Sequence, residues 1–376
     1  MIKAMEGALI VNGGITLNLR GVNWRGPERG PYPVAGLHAH PLDWYFDFME
    51  SNGINSVRLP FNHRDVLDGS TIVLDRAAHA SSWAGLTYVE MIRAFIVEAG
   101  KRGILVVLVC ARPDRHVLSD VDGGGLWFSG EISEVQISRS WQVLAVALCD
   151  VWNLIGVDLQ DEPYAASWGK FMSTDWDVAA ARIGNKVLKT CPRWLIIVQG
   201  VGTQPGAVGA NNPEEDPFFW GENLVGTATA PVKLSDPSKL VYSAHVFGPD
   251  TFQQPYFEER GFPNNMLEVW ERHFGFVPAL TGQPVMIGAI GGKYKGEYFK
   301  VREWQEKALS FIGDRKMALF YDELTPGEKR GGLIRTDWKS FEKEKLDLMK
   351  RVPATSLADI LQIAIASPPP GPPPPS

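Results

Sequence analysis

The chain has 376 residues, 45% of them apolar, with 37 Lys and Arg against 43 Asp and Glu for a net charge of -6. That length supports one large domain or two ordinary ones. The charge balance leaves no basic stripe for phosphates or anionic lipid, so neither a nucleic-acid nor a membrane partner is expected. No run of eighteen apolar residues occurs, and the start MIKAMEG lacks the basic and apolar stretches of a secretory leader. Cys110, Cys149 and Cys191 stand among apolar neighbours without metal-ligand spacing and read as buried free thiols. With no Asn-x-Ser/Thr sequon, these features lean towards an intracellular protein, unless a leader has been removed. The 13 Trp and 18 Phe imply either a large core or flat platforms for a ring-shaped ligand.

In chain order, apolar strand-like runs alternate with helical patterns. A strand over 16–24 precedes a helix over 41–51, and a strand over 54–61 precedes a helix over 83–101. Strands at 103–111 and 155–162 are followed by helices at 131–152 and 175–190. A strand at 194–200 leads into 201–239, which shows no clear helix. Strands at 240–247, 284–290 and 317–324 then alternate with helices at 264–274, 297–312 and 338–350. Eight near-continuously apolar strands alternating with helices predict a single (β/α)8 TIM barrel over 1–355. The remaining segment, 356–376, ends in a proline-rich tail over 367–376 that cannot supply a barrel element and reads as a linker or a polyproline II ligand.

In such a barrel the chemistry lies at the strand C-termini, where side chains two apart share a face. By that parity the fourth strand presents Asp158, Gln160 and Glu162, the sixth Ser243, His245 and Phe247, and the seventh Val285, Ile287 and Ala289. The eighth presents Ala318, Phe320 and Asp322, while Arg58 lies on the second and Ala111 on the third.

At these positions the chain resembles glycoside hydrolase family five, the cellulase-type endo-β-glucanases. The resemblance rests on LRGVNW at 19–24, SVRLPF at 56–61, GVDLQDEP at 156–163, YSAHVFGP at 242–249, GAIGG at 288–292 and GGLIRTDW at 331–338, in order from about residue 8 to 350. It implies a β-glucan or other glycan ligand, no metal and no cofactor. It also implies a retaining mechanism with two carboxylates about 5 to 5.5 Å apart. Glu162 falls on the acid/base, whereas the nucleophile position holds Ala289. Four further positions depart from the family pattern. Asp161 replaces Asn, Ala111 replaces His, Phe247 replaces Tyr and Asp322 replaces the Trp under the sugar.

Arg58, which the resemblance pairs with the absent nucleophile, requires a new anion, because a buried unpaired guanidinium costs several kcal/mol. Asp161 or Asp322 is expected to supply it. His245 without its Tyr reads as a hydrogen-bonded core histidine. Most tryptophans read as core, with Trp127 and Trp220 the two expected to face a sugar. Three functions remain open. The first is a catalytically impaired or inactive pseudoenzyme with a binding or assembly role, its protein partner docking on the barrel surface or the proline-rich tail. The second is an active β-glucan hydrolase using Glu162 as acid/base, or an inverting variant with Asp322 or Asp161 as base. The third is a glycan-binding module that does not cut.

Overall fold

A computed structural model describes the chain except for residues 12–13, 75–77, 113–124, 203–216, 295–298, 328–330 and 367–376. The proline-rich tail therefore lies outside the described residues. Eight parallel strands close into a barrel: β4 (Arg20–Asn23), β5 (Ser56–Asn62), β6 (Leu105–Arg112), β7 (Leu154–Asp158), β8 (Leu195–Gln199), β9 (Leu240–Phe247), β10 (Val285–Gly291) and β11 (Ala318–Tyr321). They pair in chain order and β11 closes on β4, so each strand-like run in the sequence supplies one stave. The helices around them include α1 (Leu42–Ser51), α3 (Tyr88–Lys101), α4 (Glu134–Leu148), α5 (Trp176–Thr190), α8 (Phe299–Asp314) and α9 (Lys343–Met349). Capping boxes start two of these helices. Thr87 pairs with Glu90 at α3 and Ser133 with Gln136 at α4, and each satisfies backbone donors that the first turn leaves open.

The helix expected over 264–274 is broken into α6 (Met266–Trp270), a π turn at Glu271–Gly275 and α7 (Val277–Thr281), whose second residue is Pro278. Three elements carry no clear signal in the sequence pattern: an antiparallel sheet of β1 (Ile2–Met5), β2 (Ala8–Val11) and β3 (Ile15–Thr16), the short α2 (His63–Asp68), and α10 (Leu357–Ala366). The small sheet and α10 share one apolar cluster with the lower interior of the barrel, where Leu105, Val107, Ile155, Ile197, Val241 and Phe320 meet Ala4, Leu9 and Ile360. They close the floor. Gly21 makes room for the Phe320 ring there, since a Cβ at that position would stand 2.6 Å from it.

The tryptophan surplus is mostly core. Trp24, Trp127, Trp141, Trp168, Trp176, Trp194, Trp270 and Trp304 are all fully buried. Trp127 therefore cannot be the sugar platform expected of it, because its ring packs 5.3 Å from Trp176 and its indole N–H donates to Glu134 at 3.0 Å.

The cysteine expectation also fails in part. Cys149 and Cys191, which follow α4 and α5, form a disulfide, leaving Cys110 as a buried free thiol. Spacing could not reveal this, because the two residues are 42 apart and meet only where adjacent helices end. Bridges of this kind persist in oxidising surroundings, so the intracellular leaning loses its basis. The loop that the bridge closes predicts that Cys149→Ser lowers unfolding free energy by about 2–4 kcal/mol in denaturant titration, with a matching loss on reduction of the unmodified chain.

Candidate active site

The barrel interior changes character along its axis, with apolar layers below and a polar layer where the strands end. Arg58 on β5 is the centre of that layer and is 3% exposed. Its guanidinium donates to Asp158 Oδ2 through Nε at 3.1 Å and through one Nη at 2.9 Å. The same Nη reaches Asp161 Oδ1 at 2.5 Å, and the other donates to Asn23 Oδ1 at 3.1 Å. Gln199 on β8 donates to Asp158 at 2.9 Å and to Asp161 at 3.1 Å, and its Oε1 accepts the Glu162 backbone N–H at 2.9 Å. Side chains from β4, β5, β7 and β8, with Asp161 just beyond β7, therefore form one network.

Arg58 is paired with two carboxylates, Asp158 and Asp161. Asp322 does not take part. It lies on the opposite side of β4, with its two oxygens 3.1 and 3.3 Å from Arg25, and Arg25 also stands 3.3 Å from Glu323. Asp158, which strand parity placed on the inner face, is the partner that sequence reasoning missed, along with Gln199 and Asn23. An inward charged residue on each of two staves was the available signal.

Burial and charge divide the two carboxylates. Burial pushes the Asp158 carboxyl up, and Arg58 only partly offsets it. Burial acts in the same direction on Asp161, but Arg58, His245 and the hydrogen bonds outweigh it and hold the group well below the ordinary carboxylate range.

Glu162 sits immediately beyond, with a backbone φ of 44° that turns its side chain off the strand. Its carboxylate is partly exposed, and Oε1 lies 2.8 Å from His245 Nδ1. His245 is buried, and its Nε2 stands 3.7 Å from Asp161. It therefore contacts the site as well as the core. Gly221 backs this group from the β8–β9 loop, where a Cβ would come within 3.0 Å of Gln199 Oε1 and 3.4 Å of the Glu162 Cγ. Phe247, at the end of β9, packs edge-on to Phe219 and His245. Ala111 closes β6 half-buried, and Ala289 lies on β10 directly opposite His245, 4% exposed.

Beside the carboxylates, Tyr164 and Trp220 stack face to face with centroids 3.9 Å apart and planes 14° apart. Trp220 is exposed, so the second expected platform is available on the mouth of the barrel. Among the described residues no cluster of three His, Cys, Asp or Glu side chains could hold a metal ion.

Residues 15–326 match the model for Cellulase (glycosyl hydrolase family 5). The chain belongs to that family. Relatives of the family include an endoglucanase of Paenibacillus polymyxa, 33% identical over 92% of this chain and 85% of its own length. The catalytic domain of the major endoglucanase from Xanthomonas campestris pv. campestris is 32% identical, superposes with a TM-score of 0.84, and covers 94% of this chain and 100% of that domain. An endocellulase from Pyrococcus horikoshii, solved in complex with cellotetraose, is 32% identical with a TM-score of 0.81, covering 93% of this chain and 98% of that one. The match thus spans nearly the whole barrel.

Two predictions follow from these charges. Ala289→Glu brings a third carboxylate towards a guanidinium already holding two, and Asp161→Asn removes one. In a double-mutant cycle the pair is expected to be more stable than the sum of the single changes by about 1 kcal/mol or more, read from denaturant unfolding. Additive effects would show that the two positions do not share Arg58. The second concerns Glu323, whose carboxyl is pushed up to about 7 by burial and then by the neighbouring Asp322. Its proton is bound more tightly folded than unfolded, so this group costs stability as pH rises from about 4.5 to 7. Glu323→Gln should flatten that fall and raise stability at pH 8 by about 1–2 kcal/mol in thermal melts, with little effect at pH 4.

Proposed function

We propose that this family 5 protein binds a β-linked glucan chain across the mouth of its barrel and does not hydrolyse it by the retaining route. The observation that carries the reading is Ala289 at the nucleophile position, with Arg58 re-paired to Asp158 and Asp161. A methyl group cannot attack an anomeric carbon or carry a glycosyl ester, and removing one member of a concerted catalytic set costs about a millionfold in rate, about 8 kcal/mol of barrier. Asp161 and Asp322 do not replace it as an inverting base. Asp161 is held by Arg58 and Gln199 and adjoins Glu162 in the chain, and Asp322 is buried against Arg25.

What remains suits binding. Glu162 offers a partly exposed acceptor beside His245, and Trp220 stacked on Tyr164 offers a flat apolar face to a sugar ring. The family relatives named as endoglucanases, and one solved with cellotetraose, support a β-glucan as the ligand class.

A second reading, hydrolysis with Glu162 as acid/base, is favoured by a specific observation. Glu162, at the position the family resemblance gives to the acid/base, contacts His245 at 2.8 Å, an arrangement that suits protonation of a leaving group. Assay of the unmodified chain on a soluble β-glucan and an aryl cellobioside decides between them. The expected result is no turnover above a Glu162→Gln control, alongside cello-oligosaccharide binding that is measurable by calorimetry and weakened by Trp220→Ala. Turnover by the unmodified chain that Glu162→Gln abolishes would establish the hydrolase instead. Turnover appearing only with added formate or azide, small anions able to occupy the Ala289 position, would mark the missing nucleophile as the sole defect.

A further inference from the structure

The loop after β7, residues 159–175, holds a phenylalanine in an unusual way. Phe171 has a backbone φ of 61°, in the left-handed region that glycine favours, and its side chain is wholly exposed at 103% of the reference area. The strain is imposed by buried carboxylates below it. Asp175, 3% exposed, accepts from Ser167 Oγ at 2.6 Å and from the backbone N–H groups of Lys170 and Met172 at 2.9 and 3.1 Å. Asp177 accepts the Gly169 N–H at 2.9 Å. The backbone on both sides of Phe171 is thus fixed, and the ring gains no packing from it. Strain maintained by surrounding structure without a folding benefit points to use of the strained residue.

Position says what the use is. Among the described residues the exposed aromatic side chains are Tyr32, Phe171, Trp220, Phe252 and Phe299, and all five follow barrel strands, on the loops or helix start at the mouth. Exposed apolar residues on the flanks and floor, such as Val146, Leu280 and Ile365, are aliphatic. The loop that displays Phe171 also supplies Tyr164, the partner of Trp220 beside Glu162. Aromatic faces pack on the C–H faces of β-linked glucose rings.

We propose that Phe171 is a surface anchor that holds the mouth of the barrel against insoluble β-glucan, outside the cleft that takes a single chain. The proposal rests on the glycan-binding reading above. Phe171→Gly tests it, because glycine accepts the left-handed φ and the variant is not expected to lose folding stability. With the full chain, the partition onto microcrystalline cellulose is expected to fall by about tenfold in Phe171→Gly and to be retained in Phe171→Trp, while calorimetric affinity for cellopentaose stays unchanged. Unchanged partition in Phe171→Gly overturns the anchor. So does an equal loss of cellopentaose affinity, which would place the ring in the cleft. Binding of cellopentaose with no binding to cellulose by the unmodified chain overturns the anchor and leaves the glycan reading standing, whereas binding of neither overturns both.

Discussion

A guanidinium cannot be left unpaired inside a barrel, and that constraint organises the upper half of this molecule. Arg58 enters the interior from β5, where it is nearly inaccessible to water, so its charge must be met by groups on neighbouring staves. Asp158, Asp161 and Asn23 meet it, and Gln199 then bridges the two carboxylates while its carbonyl fixes the Glu162 backbone. The placement of Glu162 at the mouth therefore depends on an ion pair one layer below. A planar guanidinium meets these partners through three separate nitrogens in a fixed fork.

The same network keeps Arg58 paired although position 289 on β10 holds an alanine. The carboxylate partners of Arg58, Asp158 and Asp161, come from β7 and the residues just beyond it, two staves from β5. The second acidic substitution answers a different cation. Asp322 and Glu323 gather at Arg25 on the far side of β4, where burial first and the neighbouring Asp322 second push the Glu323 proton affinity up. The two replacements therefore belong to two separate electrostatic centres.

The eight strands and their order were legible because they follow from local apolar pattern, whereas the expectations at positions 111, 161, 247, 289 and 322 came from the family resemblance. What escaped the sequence depends on contacts between distant segments. Asp158 lay on the correct face, but nothing in GVDLQDEP distinguishes the aspartate that meets Arg58 from one that meets solvent. Cys149 and Cys191 each end a helix, and only the packing of α4 beside α5 brings them together. Trp127 was expected to face a sugar, yet the Glu134 carboxylate and the Trp176 ring draw it into the core. In α10 the pattern LADILQIAIA is so apolar that it shows no polar face to mark a helix, and its partner is the barrel floor.

That floor gives the molecule a direction. Thr355 is tied to Asn18 and Asn55, and α10 then runs beneath the staves, with Leu357 against Gly103 and Ile360 in the lower core. The small sheet and α10 thus seal the barrel at the end opposite Glu162, so the apolar cap and the polar layer around Arg58 occupy opposite ends of the staves.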